Sequence, residues 1–213
     1  MENFRAHITL ETPAILHELL SLDALLAAAL YRRSGDVEQA HSAIPLARTE
    51  GLWHGSSVIL GRGHAVTISC TRRLRGRDWE PRRFTDQRKN GRVRVLTGGG
   101  RYRPEVDTYR GWAGEISFAA RGEAEAVKNL LLSLPGIGAK ARAGHGRIGE
   151  IEIEAIEHDE SLCVAGEPRR PVPVRLCRKA GITVTPETAC EKVRWAPPYW
   201  QGEVVACAVP RLF

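Results

Sequence analysis

EAEAVKNLLLSLPGIGAKARAGHGRIGEIEIEAIE, residues 123–157, changes its periodicity twice. Val127, Leu130, Leu131 and Leu134 recur at helical spacing, so residues 123–135 read as an amphipathic helix with one core-facing stripe, stopped by Pro135 and Gly136. From residue 150 the pattern alternates, with Ile151, Ile153 and Ala155 set against Glu150, Glu152 and Glu154, which is a half-buried strand with a solvated outer face. A metal site built on those three glutamates is the less economical reading, because strict alternation is what a wet strand face requires. Residues 136–149 join the two and hold five glycines, one lysine, two arginines and a histidine. The fold therefore turns from helix to strand through a glycine-rich, cationic corner.

Upstream, GEISFAARG (114–122) reads as the strand that feeds this helix. At the start of the chain FRAHITLE (4–11) alternates strictly, placing Phe4, Ala6, Ile8 and Leu10 on one face and Arg5, His7, Thr9 and Glu11 on the other. A helix follows in which Ser21 can cap, Asp23 sits in the first turn, Leu22, Leu25, Leu26, Ala29 and Leu30 form the stripe, and Arg32, Arg33 and Gly35 close it. SSVIL (56–60), AVTISC (65–70) and VRVL (93–96) are further strand-like runs, and the last third holds short strands and turns. A β-α-β start and a β-α-loop-β middle predict a ferredoxin-like, RRM-like α+β fold with an antiparallel sheet. Residues 1–157 are expected to form its core, with a basic insert at about 71–92, and residues 158–213 to complete or extend the same domain.

The 213 residues carry a formal charge of +6, concentrated in one place. Between Arg62 and Arg110 there are fourteen Arg or Lys and five Asp or Glu, leaving the remainder slightly acidic. Such a stripe suits a polyanion, because neutralised phosphates release condensed counterions, and arginine forks grip phosphate at two points. Trp79, Tyr102 and Tyr109 in the same segment, and Trp112 just after it, either stack on unpaired bases or pack in a core. TRRLRGRDWEPRRFTDQRKNG (71–91) and TGGGRYRPE (97–105) read as basic loops or a hairpin arm.

Several classes are excluded. GHGRIG (144–149) matches G-x-G-x-x-G formally, but it follows a helix and opens a strand, the reverse of what a dinucleotide site needs. No phosphate-binding loop of the G-x-x-x-x-G-K-[ST] type is present. The five cysteines are scattered, odd in number and never C-x-x-C, which argues for buried small hydrophobes against disulfides or zinc. No metal or other cofactor is expected. The N-terminus lacks the basic-then-apolar order of an export signal and no run reaches the roughly 18–20 apolar residues of a membrane span, so a cytoplasmic protein without membrane contact is expected.

A corner of alternating glycine and cation can hold phosphates, since glycine admits positive φ and lets successive amides face one concavity. The alternative is a solvated turn. The helix ending in Pro135-Gly136, the GIGAKARAGHGRIG corner and the strand after it resemble the C-terminal glycine-rich loop of the RAMP superfamily of CRISPR proteins. The early SLDALLAAALYRR helix after the first strand is similar to the opening of the small RAMP subunit of type IV CRISPR effector complexes.

The resemblance covers most of residues 1–157 and implies a non-enzymatic, guide-RNA-binding subunit that caps the 5′ handle of the CRISPR RNA (crRNA). It implies a phosphate grip at Gly136, Gly138, Lys140, Arg142, Gly144, His145, Gly146 and Arg147. Arg72, Arg73, Arg75, Arg77, Arg82, Arg83, Arg88, Lys89, Arg101 and Arg103 would track a nucleic-acid backbone, with Trp79, Tyr102 and Trp112 available for stacking. Implied partners are crRNA, backbone RAMP subunits, a large-subunit-like protein and target DNA, whose flanking motif the chain would help to read. The rival that the superfamily implies is a metal-independent endoribonuclease processing precursor crRNA, with His145, or else His7, His41, His54 or His64, as acid or base. A plain ribosome-type RNA-binding module is the third class.

Overall fold

The computed structural model describes residues 1–72, 88–89, 92–93 and 105–211. Two compact units are present, one made of Met1–Val66 with Gly111–Phe213 and the other of Thr67–Arg110. The first holds the central sheet and the C-terminal layer.

Alternation at the start becomes β1, Glu2–Leu10, whose Phe4, Ala6 and Ile8 are fully buried. Helix α1, Leu22–Ser34, follows and is ended by Gly35 in the left-handed conformation at φ 72°. The short α2, Val37–Ser42, is capped by Asp36, whose side chain accepts from the Gln39 amide; its single turn carries too little apolar periodicity to be read from sequence. A two-residue hairpin pair, β2 (Arg48–Thr49) and β3 (Leu52–Trp53), leads into β4, Ile59–Arg72. Strand β4 thus joins the end of the run at 56–60 to the whole of the run at 65–70, because Gly61 and Gly63 continue the extended backbone. A Cβ at Gly61 would meet Glu115 at 3.0 Å, and one at Gly63 would meet the Ala113 carbonyl at 2.3 Å, so only glycine lets the neighbouring strand approach.

Strand β7, Glu105–Gly122, is twice as long as the expected 114–122. The helix expected over 123–135 is α3, Ala124–Leu132, with Val127 and Leu131 fully buried; it ends one turn early, ahead of the 133–136 turn. Strand β8, Ile148–Ala155, exposes Glu150, Glu152 and Glu154. The sheet order is β4-β7-β1-β8, and β1 lies antiparallel to both neighbours, with Ile8 opposite Ile116 and Ile151. One face of this sheet and the helices enclose the main core, where Phe4, Ile8, Leu22, Leu26, Phe118, Val127, Leu131 and Ile137 meet. Each large side chain so buried contributes about 1.5–3 kcal/mol.

The C-terminal third comprises β9 (Cys163–Val164) paired with β10 (Glu167–Pro168), then β11 (Val172–Pro173), the one-turn α4 (Val174–Cys177), β12 (Cys190–Val193) and β13 (Val205–Ala208). Strand β13 sits between β11 and β12 in a three-stranded sheet. A second, smaller core gathers Leu52, Val172, Leu176, Cys177, Ile182 and Ala208, with Trp195 against it. Of the five cysteines only Cys177 and Cys207 are buried, and Cys190 is exposed, so the expectation of buried hydrophobes holds for two. Burial raises both thiols, Cys207 to about 12.

In the second unit β5 (Arg88–Lys89) pairs antiparallel with β6 (Arg92–Val93), a hairpin within the basic segment. No described helix is long and apolar enough to cross a membrane. Among the described residues no three His, Cys, Asp or Glu side chains are grouped to hold a metal ion.

Candidate nucleic-acid interface

The glycine-rich corner is built into the fold by main-chain hydrogen bonds. Ile137 N–H donates to Gly146 O at 2.8 Å, Ala139 N–H to Ile15 O at 2.8 Å, and Gly146 N–H to Pro13 O at 3.0 Å. Thr12 fixes the far side, its hydroxyl donating to Gly144 O at 2.7 Å while accepting from Arg147 N–H at 2.9 Å. These bonds consume amides that a phosphate nest would otherwise offer, and Ile137 between them is fully buried. The corner is therefore not the open ring that its glycine content predicts. At Gly138 a Cβ would stand 2.3 Å from Ile15 O, and at Gly146, φ 65°, 2.0 Å from Ile137 O. Glycine is required there because backbone packs on backbone.

What the corner offers to solvent is its side chains. Lys140, Arg142 and Arg147 are exposed, and Arg142 sits on a 3-10 turn, Ala141–Ala143, between left-handed Lys140 and Gly144. Arg147 Nε lies 3.3 Å from Glu11 Oε2, with both side chains at least half exposed, a pairing worth little in water. His145 is half-buried. All eight residues expected at the grip thus lie on one pinned corner, while Gly136, Gly138 and Gly146 serve its internal packing.

Part of the open face of the sheet carries the opposite sign, although Arg5 and Arg121 share that face. His7, Thr9, Glu115, Glu152 and Glu154 line a shallow depression there, with Glu150 beside Thr9 in register. His7 Nε2 and Glu154 Oε2 lie 2.9 Å apart, and this hydrogen bond holds the Glu154 carboxyl below its usual range. Trp112 is half-buried against the main core, with its indole N–H donated to Glu115 O. Arg73, Arg75, Arg77, Trp79, Arg82, Arg83, Arg101, Tyr102 and Arg103 lie outside the described residues, and Arg72, Arg88 and Lys89 are described as backbone in β4 and β5.

Of the remaining histidines, His64 is exposed on β4 and His41 lies 6.3 Å from the Trp200 ring, centroid to centroid. His54 is 7% exposed and oriented from both sides, with Nε2 2.9 Å from Thr49 Oγ1 and Nδ1 2.6 Å from Asp159 Oδ2. Asp159 also accepts from the amide and hydroxyl of Ser161. Burial by itself raises this carboxyl, but the bonds from His54 and Ser161 outweigh it and hold it at about 2.

A second polar network escaped the sequence entirely. Arg170, 1% exposed, donates to the carbonyls of Trp53, Gly55 and Trp195 and to Tyr199 Oη, and its Nη1 lies 3.0 Å from Asp23 Oδ1. Tyr199 donates to Asp23 Oδ2 at 2.7 Å, and Ser21 Oγ bonds Tyr199 Oη instead of capping α1. Burial alone would lower the Arg170 pKa; the Asp23 carboxylate reverses this and raises it.

No curated protein matches the chain. Among solved structures, a chain of the type III-B Cmr-beta complex bound to cognate target RNA, seen by cryo-electron microscopy, is similar at a TM-score of 0.38 and 11% identity. The similarity covers 72% of this chain and 61% of that one, so this chain spans about three fifths of that chain's length. The family model described as CRISPR type IV associated protein Csf3 matches residues 2–210, nearly the whole sequence. With an antiparallel sheet, a pinned cationic corner and that full-length match, the chain belongs to the Csf3 family of CRISPR type IV associated proteins.

Proposed function

We propose that this chain is the guide-RNA-binding subunit that caps the 5′ handle of crRNA in a type IV CRISPR effector ribonucleoprotein, gripping the strand at the 136–149 corner. The observation that carries this reading is the placement of exposed Lys140, Arg142 and Arg147 on a corner whose backbone is fixed by at least five hydrogen bonds. A pre-ordered cationic ridge loses little entropy on binding a phosphate chain. The acidic open sheet face argues in the same direction, since Glu115, Glu150, Glu152 and Glu154 would repel a polyanion from the surface an RRM commonly offers.

The sheet itself is read as ferredoxin-like. In chain order its strands and helices run β1, α1, β4, β7, α3, β8, and the spatial order β4-β7-β1-β8 interleaves two split β-α-β units. The arginine-rich stretch is assigned to the backbone of guide RNA or target DNA, with a share in reading the flanking motif, and backbone RAMP subunits with a large-subunit-like protein are its expected neighbours. Binding rather than cutting is the inferred role, because the best-oriented histidine, His54, is buried and has both ring nitrogens engaged by Thr49 and Asp159.

The test is direct. Purified protein with repeat RNA in EDTA should bind the handle segment and leave it intact, and Lys140→Ala/Arg142→Ala/Arg147→Ala should weaken binding at unchanged melting temperature. A discrete cut that His145→Ala abolishes would replace this reading with the endoribonuclease.

A further inference from the structure

The segment 195–200, WAPPYW, has no part in the corner or the sheet, and the structure gives its loop a cavity. About 470 Å³ of space opens between the turn before α1 and the 193–199 loop, within the range that small-molecule sites occupy. Its apolar wall is built by Leu20, Pro171 and Trp195, and its polar contributors include His17, Arg170 and Arg194. Among the described residues no carboxylate lines it. A mainly apolar slot with an aromatic wall and only cationic or titratable charged groups selects an anion with a flat apolar body.

The cations are positioned for this. Arg194 donates its Nε to Gly202 O at 2.9 Å, which orients the guanidinium and leaves its η nitrogens available to a ligand. His17 is exposed, and its Nδ1 accepts from Leu19 N–H at 3.1 Å, turning Nε2 to the opposite edge of the ring. Arg170, the buried member, has its charge met by Asp23, yet its Nε has no hydrogen-bond partner and is shut off from solvent.

We propose that this cavity holds one unpaired nucleotide of a bound RNA strand, its base against Trp195 and its phosphate on Arg194 and His17. The assignment to RNA rests on the guide-binding reading above; the slot's preference for an aromatic anion does not.

Two measurements on the full chain test it. In calorimetric titrations adenosine 5′-monophosphate should bind, with adenosine and inorganic phosphate each weaker by about tenfold or more, the scale of one base stack or one lost charge contact. Arg194→Ala should lose about tenfold in nucleotide affinity at unchanged melting temperature, and Trp195→Phe should retain binding that Trp195→Ala loses. Photocrosslinking of a 4-thiouridine-substituted oligoribonucleotide should label peptides containing residues 17 and 193–200.

Equal affinity for phosphate and nucleotide, tighter binding of an acidic peptide, or an unaffected Arg194→Ala variant would overturn the proposal. The two readings fail separately. An oligoribonucleotide that binds through Lys140, Arg142 and Arg147 without labelling 193–200 refutes the slot alone. Nucleotide binding that persists in a chain indifferent to the triple loop substitution refutes the corner alone.

Discussion

Asp23 and Arg170, 147 residues apart in sequence, meet at 3.0 Å with both side chains sealed from water. The pair joins α1 to the C-terminal layer, and Tyr199 and the Trp195 carbonyl complete it. Removing one member leaves the other charged and buried, so Arg170→Met is expected to cost about 3–5 kcal/mol in urea unfolding. The double variant Asp23→Leu/Arg170→Met should recover most of that loss, because an apolar pair needs no desolvation of charge. A double variant as unstable as the single one would show that the hydrogen bonds to the Trp53, Gly55 and Trp195 carbonyls dominate.

Acid should loosen the junction between β3 and the segment after β8. The Asp159 carboxyl sits at about 2 in the folded protein against 3.8 in its unperturbed state. A lowered folded value stabilises above the unfolded pKa, and that contribution, on the order of 2 kcal/mol, is lost as pH falls from about 4 through about 2. Asp159→Asn should flatten the pH dependence of the urea midpoint in that window. An unchanged slope would assign the acid sensitivity to other carboxylates.

The glycines of the corner are not equivalent. Gly146→Ala places a Cβ 2.0 Å from Ile137 O, whereas Gly144→Ala, at φ 93°, meets nothing within 4 Å. Gly144→Ala should therefore cost only the about 1–2 kcal/mol of left-handed backbone, and Gly146→Ala distinctly more. Equal melting temperatures for the two would mean that the backbone at Ile137 yields to relieve the contact.

RNA affinity should depend steeply on salt. If six to ten phosphates are neutralised, affinity drops by roughly 10³ to 10⁵ between 50 and 200 mM salt, and the triple corner substitution should flatten the log–log slope by up to about three. A filter-binding series that stays shallow would remove the polyanion reading.

Glu11 pairs with one cation of the proposed grip. Its carboxylate lies 3.3 Å from Arg147 Nε, so Glu11→Gln should free the guanidinium and strengthen RNA binding by a few-fold at low salt, with little change in melting temperature. Weaker binding would show that the ion pair orients Arg147 toward its phosphate.

Local periodicity carried the architecture. The alternation of Phe4, Ala6, Ile8 and Leu10 and the stripe of Val127, Leu130 and Leu131 are one-dimensional records of which face is dry, and they placed β1, α1, α3 and β8 within a few residues. Long-range contacts leave no such record. Asp23 reads locally as a helix-start residue, and nothing near it announces Arg170; the same holds for His54 and Asp159. The corner was legible as a helix-to-strand turn of exposed cations. Its glycines were assigned to a ligand because the strap at residues 12–15 that packs on them lies more than 120 residues upstream. Much of the arginine-rich segment lies outside the described residues, so the contacts expected of Arg73 to Arg83 stand as expectations.

The carboxylates of the sheet and the cations of the corner belong to one compact unit and give its surface regions of opposite charge. Under the proposed handle-capping role, a nucleic-acid strand would be drawn to the corner and repelled by the sheet carboxylates before contact. On that reading the four glutamates would bear on the speed of association as well as on its strength.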